Sequence, residues 1–352
     1  MELNQILEQI ADLQPLSELQ MQGLPLKGVN FTGGVFQRVD FSGCDLSQAV
    51  LREATFIECN FAGACLDGAS LQLATLQACG LKDTSLRQLF APGVTFNECV
   101  AHRSQWQQAD LEFGSLVKCQ LQGSDFGQAQ LEQVSFIECA FGDANLDAAH
   151  LLATVFYQAD LSAARFGSAP RGDKCVFTEC KLTGQRFAGA SWLRTQFMEA
   201  ELSGCDFSGA ELANSNFKGA VLDGASFRQA RAPQTLWLEA RLQQADFTGA
   251  LLRQTVWTGA QARAASFAGA VLEESVLQRA VFEQCDFRGA VLRYADLAHA
   301  RVDGSRFERA DLFRTGLRGL QAEGSGGLDR SLAAPDDPDT VKAEAWTPPA
   351  RT

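Results

Sequence analysis

Three residue types in this chain could do chemistry: eleven cysteines, three histidines and a recurrent set of aspartates. Thiols can hold a soft metal, close disulfides or attack a carbonyl. Paired carboxylates can act as acid and base. The spacing argues against each role. His102, His150 and His299 are far apart and share no pattern with a cysteine or serine, so no nucleophile–base pair is supported. There is no CxxC pair for zinc, no GxxxxGK[ST] and no GxGxxG after a strand. Aspartates such as Asp125 and Asp246 recur at one phase of a repeat, which marks a structural position. No catalytic residue, metal or cofactor is expected.

What would position such residues is a period of five. From Phe31 to Phe166 every fifth residue is Leu or Phe with three exceptions, and after a one-residue slip the period resumes from Phe177 to Leu317. We call these positions slots. Two residues before each slot sits something small, as in Ala54-Thr55-Phe56 and Cys205-Asp206-Phe207. Ten cysteines (44, 59, 79, 99, 119, 139, 175, 180, 205 and 285) occupy that small position, and Cys65 alone does not. A free thiol packs as a small hydrophobe, so the cysteines read as core.

A period of five fits neither a helix nor a plain strand. It describes a chain that turns a corner every five residues. The slot and the small residue two before it then face one side, as strand alternation requires. Four corners close a square coil of about 20 residues, and stacked coils pair at ~4.8 Å. The exceptions fit a shared interior: Ala101 precedes Trp106, Ala232 precedes Trp237, and Trp257 precedes Ala262, each a large slot beside a small one. Trp192 has no such neighbour.

Residues 26–320 resemble the pentapeptide-repeat family, whose unit is Ala-(Asp/Asn)-(Leu/Phe)-x-x. Matches include Ala109-Asp110-Leu111, Ala144-Asn145-Leu146, Ala245-Asp246-Phe247 and Ala310-Asp311-Leu312. The resemblance implies an all-β solenoid, a right-handed quadrilateral β-helix. The slots predict about 14 coils and one elongated body of roughly 65–70 Å. It also implies that the repeated Asp is a corner or outward residue.

Four segments depart from the period. Residues 1–25 place Leu3, Ile6, Leu7, Ile10 and Leu13 at helical spacing before Pro15, which predicts a short α-helix capping the first coil. Pro92-Gly93 predict a distorted corner. Between Phe166 and Phe177 eleven residues do the work of ten, and residues 168–174 there predict a surface loop with wall register kept. Residues 321–352, with Gly324-Ser325-Gly326-Gly327 and Pro348-Pro349, read as a disordered acidic, Pro-rich tail. That leaves the last coil uncovered and predicts a homodimer through it.

No apolar run is long enough to span a bilayer and no secretory pattern starts the chain, so a cytoplasmic, membrane-free protein is expected. Net charge is −12. Residues 26–166 carry −7 and residues 167–320 carry +2. The Arg-rich half is interleaved with acids, a pattern of a salt-bridged surface, so direct nucleic-acid binding is disfavoured.

Function must then lie on the surface. One row runs through Val117, Ile137 and Tyr157 and, if register is kept, reaches Met198 and Leu238; Arg171 and Lys174 stand in the loop. These are the candidate partner-binding residues. A second row, Leu251, Val271 and Val291, lies beside Arg293, Tyr294, Phe313 and Arg314, the candidate dimer interface. Exposed apolar patches mark interaction sites, although apolar neighbours also stack simply to hold coils together. The preferred reading is a non-catalytic bacterial protein–protein scaffold or adaptor, with a secretion-system component as one kind of partner. The resemblance implies an alternative, a DNA mimic that binds DNA gyrase or topoisomerase IV. The small net charge of the body argues against mimicry along its whole length.

Overall fold

The structure is a computed structural model that describes residues 3–346. The chain forms two compact units, residues 1–202 and 203–352. In the first, helix α1 (Leu3–Ala11) is followed by β1 (Leu16–Ser17), β2 (Val35–Gln37), β3 (Thr55–Ile57), β4 (Thr75–Gln77), β5 (Thr95–Asn97), β6 (Ser115–Val117), β7 (Ser135–Ile137), β8 (Val155–Tyr157) and β9 (Val176–Thr178). They form one parallel nine-stranded sheet in chain order. Phe36 pairs with Phe56 and Phe136 with Phe156, a step of twenty residues. Three further walls are closed by bridges at the same step, such as Gln20 to Asp40, Pro25 to Asp45 and Asn30 to Val50. The coil is therefore four-walled, and the architecture is a parallel β-solenoid.

The slots and, with a few exceptions such as Ala149 and Ala310, the small residues two before them are buried, whereas most residues between and after are not. Slots one coil apart stack face to face: Phe36 on Phe56 at 5.0 Å, Phe41 on Phe61 at 4.9 Å, Phe156 on Phe177 at 5.0 Å. Neighbouring walls meet edge to face, as at Phe56 and Phe61, 78° apart. Offset stacks and T-shaped contacts suit the ring quadrupole.

The corner has a fixed geometry. The residue two after almost every slot has positive φ, +58° at Gln48 and +58° at Glu53 (after Phe141 it is Gly142, one residue earlier, that takes it at +51°). Its N–H bonds to the next coil, Gln48 to the Asp67 carbonyl at 3.0 Å. The residue after that closes the turn back on the slot, Ala49 N–H to the Leu46 carbonyl at 3.0 Å. The N–H one after the slot is left over, and the aspartate one before the slot takes it. Ser42 N–H donates to Asp40 at 2.9 Å, Gly127 to Asp125 at 2.9 Å and Thr248 to Asp246 at 2.9 Å. This is why the repeat favours Asp or Asn there, and why these carboxylates are not an acid–base set. It also corrects the expected distortion at Pro92. Proline sits where no ladder N–H is needed, Gly93 takes the positive φ of +69°, and the corner is regular.

The solenoid begins before residue 26. Leu16, Met21 and Leu26 fill slots and are buried, and β1 already pairs with β2. Met21 hides this start because it is neither Leu nor Phe. Helix α1 packs on β1 and buries Ile6. Leu13 lies outside the helix, 83% exposed with φ +56°, so a left-handed residue ends it ahead of Pro15.

The slip is absorbed as a loop with register kept. Val155, Phe156 and Tyr157 pair with Val176, Phe177 and Thr178, a step of 21. Gly172 drops into the slot the loop would have skipped. A Cβ on it would lie 2.3 Å from Trp192 Cζ3 and 2.8 Å from Cys175 Sγ. Trp192 thus has a small partner after all, one coil below in its own column.

The second unit is itself built of parallel isolated bridges at a step of twenty, such as Ser226 to Asp246 and Leu251 to Val271. Phe207, Phe227, Phe247, Phe267, Phe287 and Phe307 stack in one column. Phe217, Trp237 and Trp257 stack in another, at 4.5 and 5.0 Å. Bridges run on to Gln321 and Gly326, past the expected boundary at 320. The tail differs most. Arg314 N–H donates to the Leu332 carbonyl at 2.7 Å, and Ala334 N–H to the Thr315 carbonyl at 3.0 Å. Helix α2 (Pro338–Ala345) follows, with Asp337 capping Thr340 N–H at 3.1 Å and Pro338 in the first turn. Glu344 reaches Arg318 at 2.8 Å and His299 at 3.2 Å. Residues 328–346 thus occupy the edge that was expected to be bare, and Asp337-Pro338 was the missed helix start. Pro348-Pro349 lie outside the described residues.

Gly172→Ala should lower stability by about 1–3 kcal/mol through overpacking, read by urea unfolding. In a Trp192→Phe background the same change should cost less than half as much. An equal cost in both backgrounds would remove the pairing of Gly172 with Trp192.

Candidate interaction surface

The groups that could do chemistry are dispersed or sealed. His150 and His299 are exposed and His102 is half-buried, on separate coils. Cys59, Cys79, Cys99, Cys119 and Cys139 form one column under the strand wall. Their Sγ atoms donate to carbonyls of the coil below, Cys59 to Phe36 at 3.5 Å and Cys139 to Leu116 at 3.3 Å. Burial pushes Cys175, Cys180 and Cys285 up to about 12. All the cysteines are free, and among the described residues no cluster of His, Cys, Asp or Glu could hold a metal ion.

The charged side chains pair up the walls. Arg103 grips Asp83 twice at 2.7 Å, and Asp286 takes both Arg288 at 2.7 Å and Arg306 at 2.9 Å. Arg288 is the main cause that lowers the Asp286 pKa. Exposed pairs of this kind add ~0–1 kcal/mol each and mainly neutralise the surface.

The row through Val117, Ile137 and Tyr157 is continuous. Each residue pairs directly with the next, and Tyr157 with Thr178. All are half-buried, as is Met198 in the same unit. One flank is the wall's Ser/Thr line, Thr95, Ser115 and Ser135. The other flank is acidic: Glu98, Glu138, Glu179 and Glu199 sit at the positive-φ corners, with Lys118 3.9 Å from Glu138. Glu179 raises the Tyr157 pKa, chiefly by its charge, and accepts from the Tyr157 hydroxyl at 3.5 Å. Leu238 is half-buried in the second unit.

The second row also forms. Leu251 bridges Val271 and Val271 bridges Val291, all half-buried. Tyr294 and Phe313 are exposed and meet at 5.7 Å, 89° apart, with the Arg293 guanidinium 6.0 Å from the Phe313 ring centre. Arg293 also binds Asp311 at 2.5 Å. Leu332, 58% exposed, borders a cleft of about 450 Å³ beside Phe313. Arg314 is tied by its N–H to the C-terminal segment.

Arg171 and Lys174 are exposed in the loop. The loop rises off the turn beneath it and opens a cleft of about 570 Å³ between residues 146–152 and 166–173. Sequence reasoning located the loop but not the cleft, because the cleft depends on which coil lies below.

With this geometry in view the class is clear: a four-walled parallel β-solenoid with no assembled catalytic centre among the described residues. The family model "Pentapeptide repeats" matches in eight copies that together cover residues 35–72, 115–151, 175–235 and 240–325. The chain belongs to the pentapeptide-repeat family. Among solved structures it is similar to QnrB1, a plasmid-mediated fluoroquinolone resistance protein, at 21% identity over 57% of this chain and 90% of that one, TM-score 0.32. It is also similar to HetL, involved in heterocyst differentiation regulation in the cyanobacterium Nostoc sp. strain PCC 7120, at 22% identity over 91% and 98%, TM-score 0.21. A third is a protein of the Arabidopsis thaliana thylakoid lumen, at 23% identity over 37% and 70%, TM-score 0.19. A search of curated proteins returns no match.

Because the cysteines are sealed, a water-soluble alkylating agent at pH 8 should label only half-buried Cys65 in the native protein. The other ten should label only on unfolding, as counted by intact mass. Fast native labelling in the Cys59–Cys139 column would contradict the packing described.

Proposed function

We propose that this protein is a non-catalytic protein-interaction adaptor, whose repeated coils present side-chain rows to a partner. The observation that carries this is the in-register apolar row Val117, Ile137 and Tyr157 with an acidic edge beside it. An apolar stripe with a charged rim is the anatomy of a protein interface. The partner it suits has an apolar ridge flanked by Lys or Arg. Charge on that rim would speed association and make it salt-dependent. Among the described residues no helix is long and apolar enough to cross a membrane, in keeping with a cytoplasmic role.

The acidic edge also favours a second reading, a local DNA mimic acting on a type II topoisomerase. A supercoiling assay tests it, and full gyrase activity at micromolar protein would remove it. The adaptor reading is tested by affinity capture from lysate, with partners identified by mass. Ile137→Glu with Tyr157→Glu should lose the partner by at least about tenfold, the loss of one well-buried contact. An unchanged captured set would reduce the row to a packing feature.

A homodimer through Val271, Val291, Arg293, Tyr294, Phe313 and Arg314 is the second part of the proposal. Its support is now the exposed Tyr294–Phe313 pair rather than a bare end. Light scattering should report twice the chain mass, and Phe313→Glu should return a monomer. A monomeric parent protein would end this part.

A further inference from the structure

The backbone ladder between coils is interrupted below the loop in the first unit. On the wall below the loop every level repeats three bonds. Gln128 N–H donates to the Asp147 carbonyl at 3.1 Å, Leu131 N–H to the His150 carbonyl at 3.0 Å, and His150 N–H to the Ala129 carbonyl at 2.9 Å. The level beneath shows the same set: Gln108 to Gly127, Leu111 to Gln130, and Gln130 to Ala109. One level up the equivalent groups are Ala148 N–H, Leu151 N–H and the Ala149 carbonyl. None of the three makes its ladder bond among the described residues, because residues 168–171 have lifted away. Bonding between the same two coils resumes on both sides of the gap: Leu146 N–H reaches the Arg165 carbonyl at 2.7 Å, and Ala153 N–H the Asp173 carbonyl at 2.8 Å.

Two donors and an acceptor thus face a cleft of about 570 Å³, within the ~300–1,000 Å³ of ordinary binding pockets. Ala149 holds a position that is buried in other coils, yet here it is half-exposed, and Leu152 is 39% exposed. The floor is Leu151 and Phe166. Asp147 borders the cleft from the turn and Arg171 from the loop, and neither joins an ion pair among the described residues. Asp147 is held at its edge by Gly167, φ +71°, where a Cβ would fall 1.7 Å from the carboxylate.

We propose that this cleft binds a short extended segment of a partner protein, whose main chain replaces the missing rungs. Its carbonyls accept from Ala148 and Leu151, and one of its N–H groups donates to Ala149. This is strand addition at an open ladder edge, where the main chain supplies affinity and flanking pockets choose side chains. The fitting segment has an apolar residue for the Leu151–Phe166 floor, a basic residue towards Asp147 and an acidic one towards Arg171. The inference rests on the protein-binding reading but uses a site separate from the Tyr157 row.

The test uses the full chain and random heptapeptides displayed on phage. Selection is counter-screened against a variant lacking Ala169, which restores ten-residue spacing and should close the gap. Selected peptides should bind the parent at least about tenfold more tightly than the deletion variant, and N-methylation of the bonded amide should cost a similar factor. Should the deletion variant not fold, Asp147→Lys with Arg171→Glu takes its place, and charge-inverted peptides should be preferred. Hydrogen exchange gives the direct readout. In the free protein Ala148 and Leu151 amides should exchange far faster than those of Gln128 and Leu131, and bound peptide should slow them about tenfold or more. Amides already protected in the free chain, an empty selection, or peptides that bind without protecting them would overturn the proposal. Retained peptide binding by the Ile137→Glu, Tyr157→Glu variant separates this site from the adaptor row.

Discussion

The backbone ladder between coils governs everything else in this protein. Each wall is only about three residues wide, so no strand can be stable within its own coil. Most amides therefore look about twenty residues ahead or behind for their partners. That demand fixes the corner, and the corner fixes the sequence. A positive-φ residue follows almost every slot by two, and it is occupied here by Gln, Glu and Arg as well as by Gly. Non-glycine residues pay roughly 1–2 kcal/mol for that conformation, which stacking and ladder bonds offset coil after coil. Glycine elsewhere in the turn is needed only at close approaches, such as Gly172 under Trp192.

The interior follows from the ladder. Once coils are held at a fixed step, slots twenty apart must stack and slots five apart must meet edge to face. Trp fits only beside something small, whether Ala in a neighbouring slot or Gly172 in its own column. Two of the buried indoles also find an acceptor. Trp106 finds Ser104 at 2.6 Å and Trp257 finds Thr255 at 2.8 Å, each the small residue two before its slot. Such packing fills the interior with the chain's own side chains, so recognition is left to the walls, the loop and the two edges.

The edges are managed with different devices. At the start, α1 buries Ile6 against β1. In the second unit, residues 332 and 334 continue the ladder beyond Arg314 and Thr315, and Glu344 ties α2 to Arg318 and His299. Open ladder edges invite pairing with other chains. The interruption at Ala148–Leu151 is instead left open to the cleft beneath the loop.

The sequence by itself determined the repeating unit. A period of five in Leu and Phe, with small residues two before, specifies which side chains face in, how coils register and why ten cysteines are buried. It could do so because each coil contacts copies of itself, so local pattern and tertiary contact carry the same information. It also placed the Val117–Ile137–Tyr157 row, since side chains twenty apart must adjoin. Only the tertiary structure decided what happens where the copies stop being alike. The start at Leu16 depended on Met21 serving as a slot. The fate of residues 328–346 depended on ladder bonds to a coil end, and Trp192's partner on a glycine one coil below. The cleft at the loop exists because a one-residue insertion lifts its own coil while the coil beneath keeps its place. Those outcomes follow from contacts between unlike segments, and no periodicity encodes them.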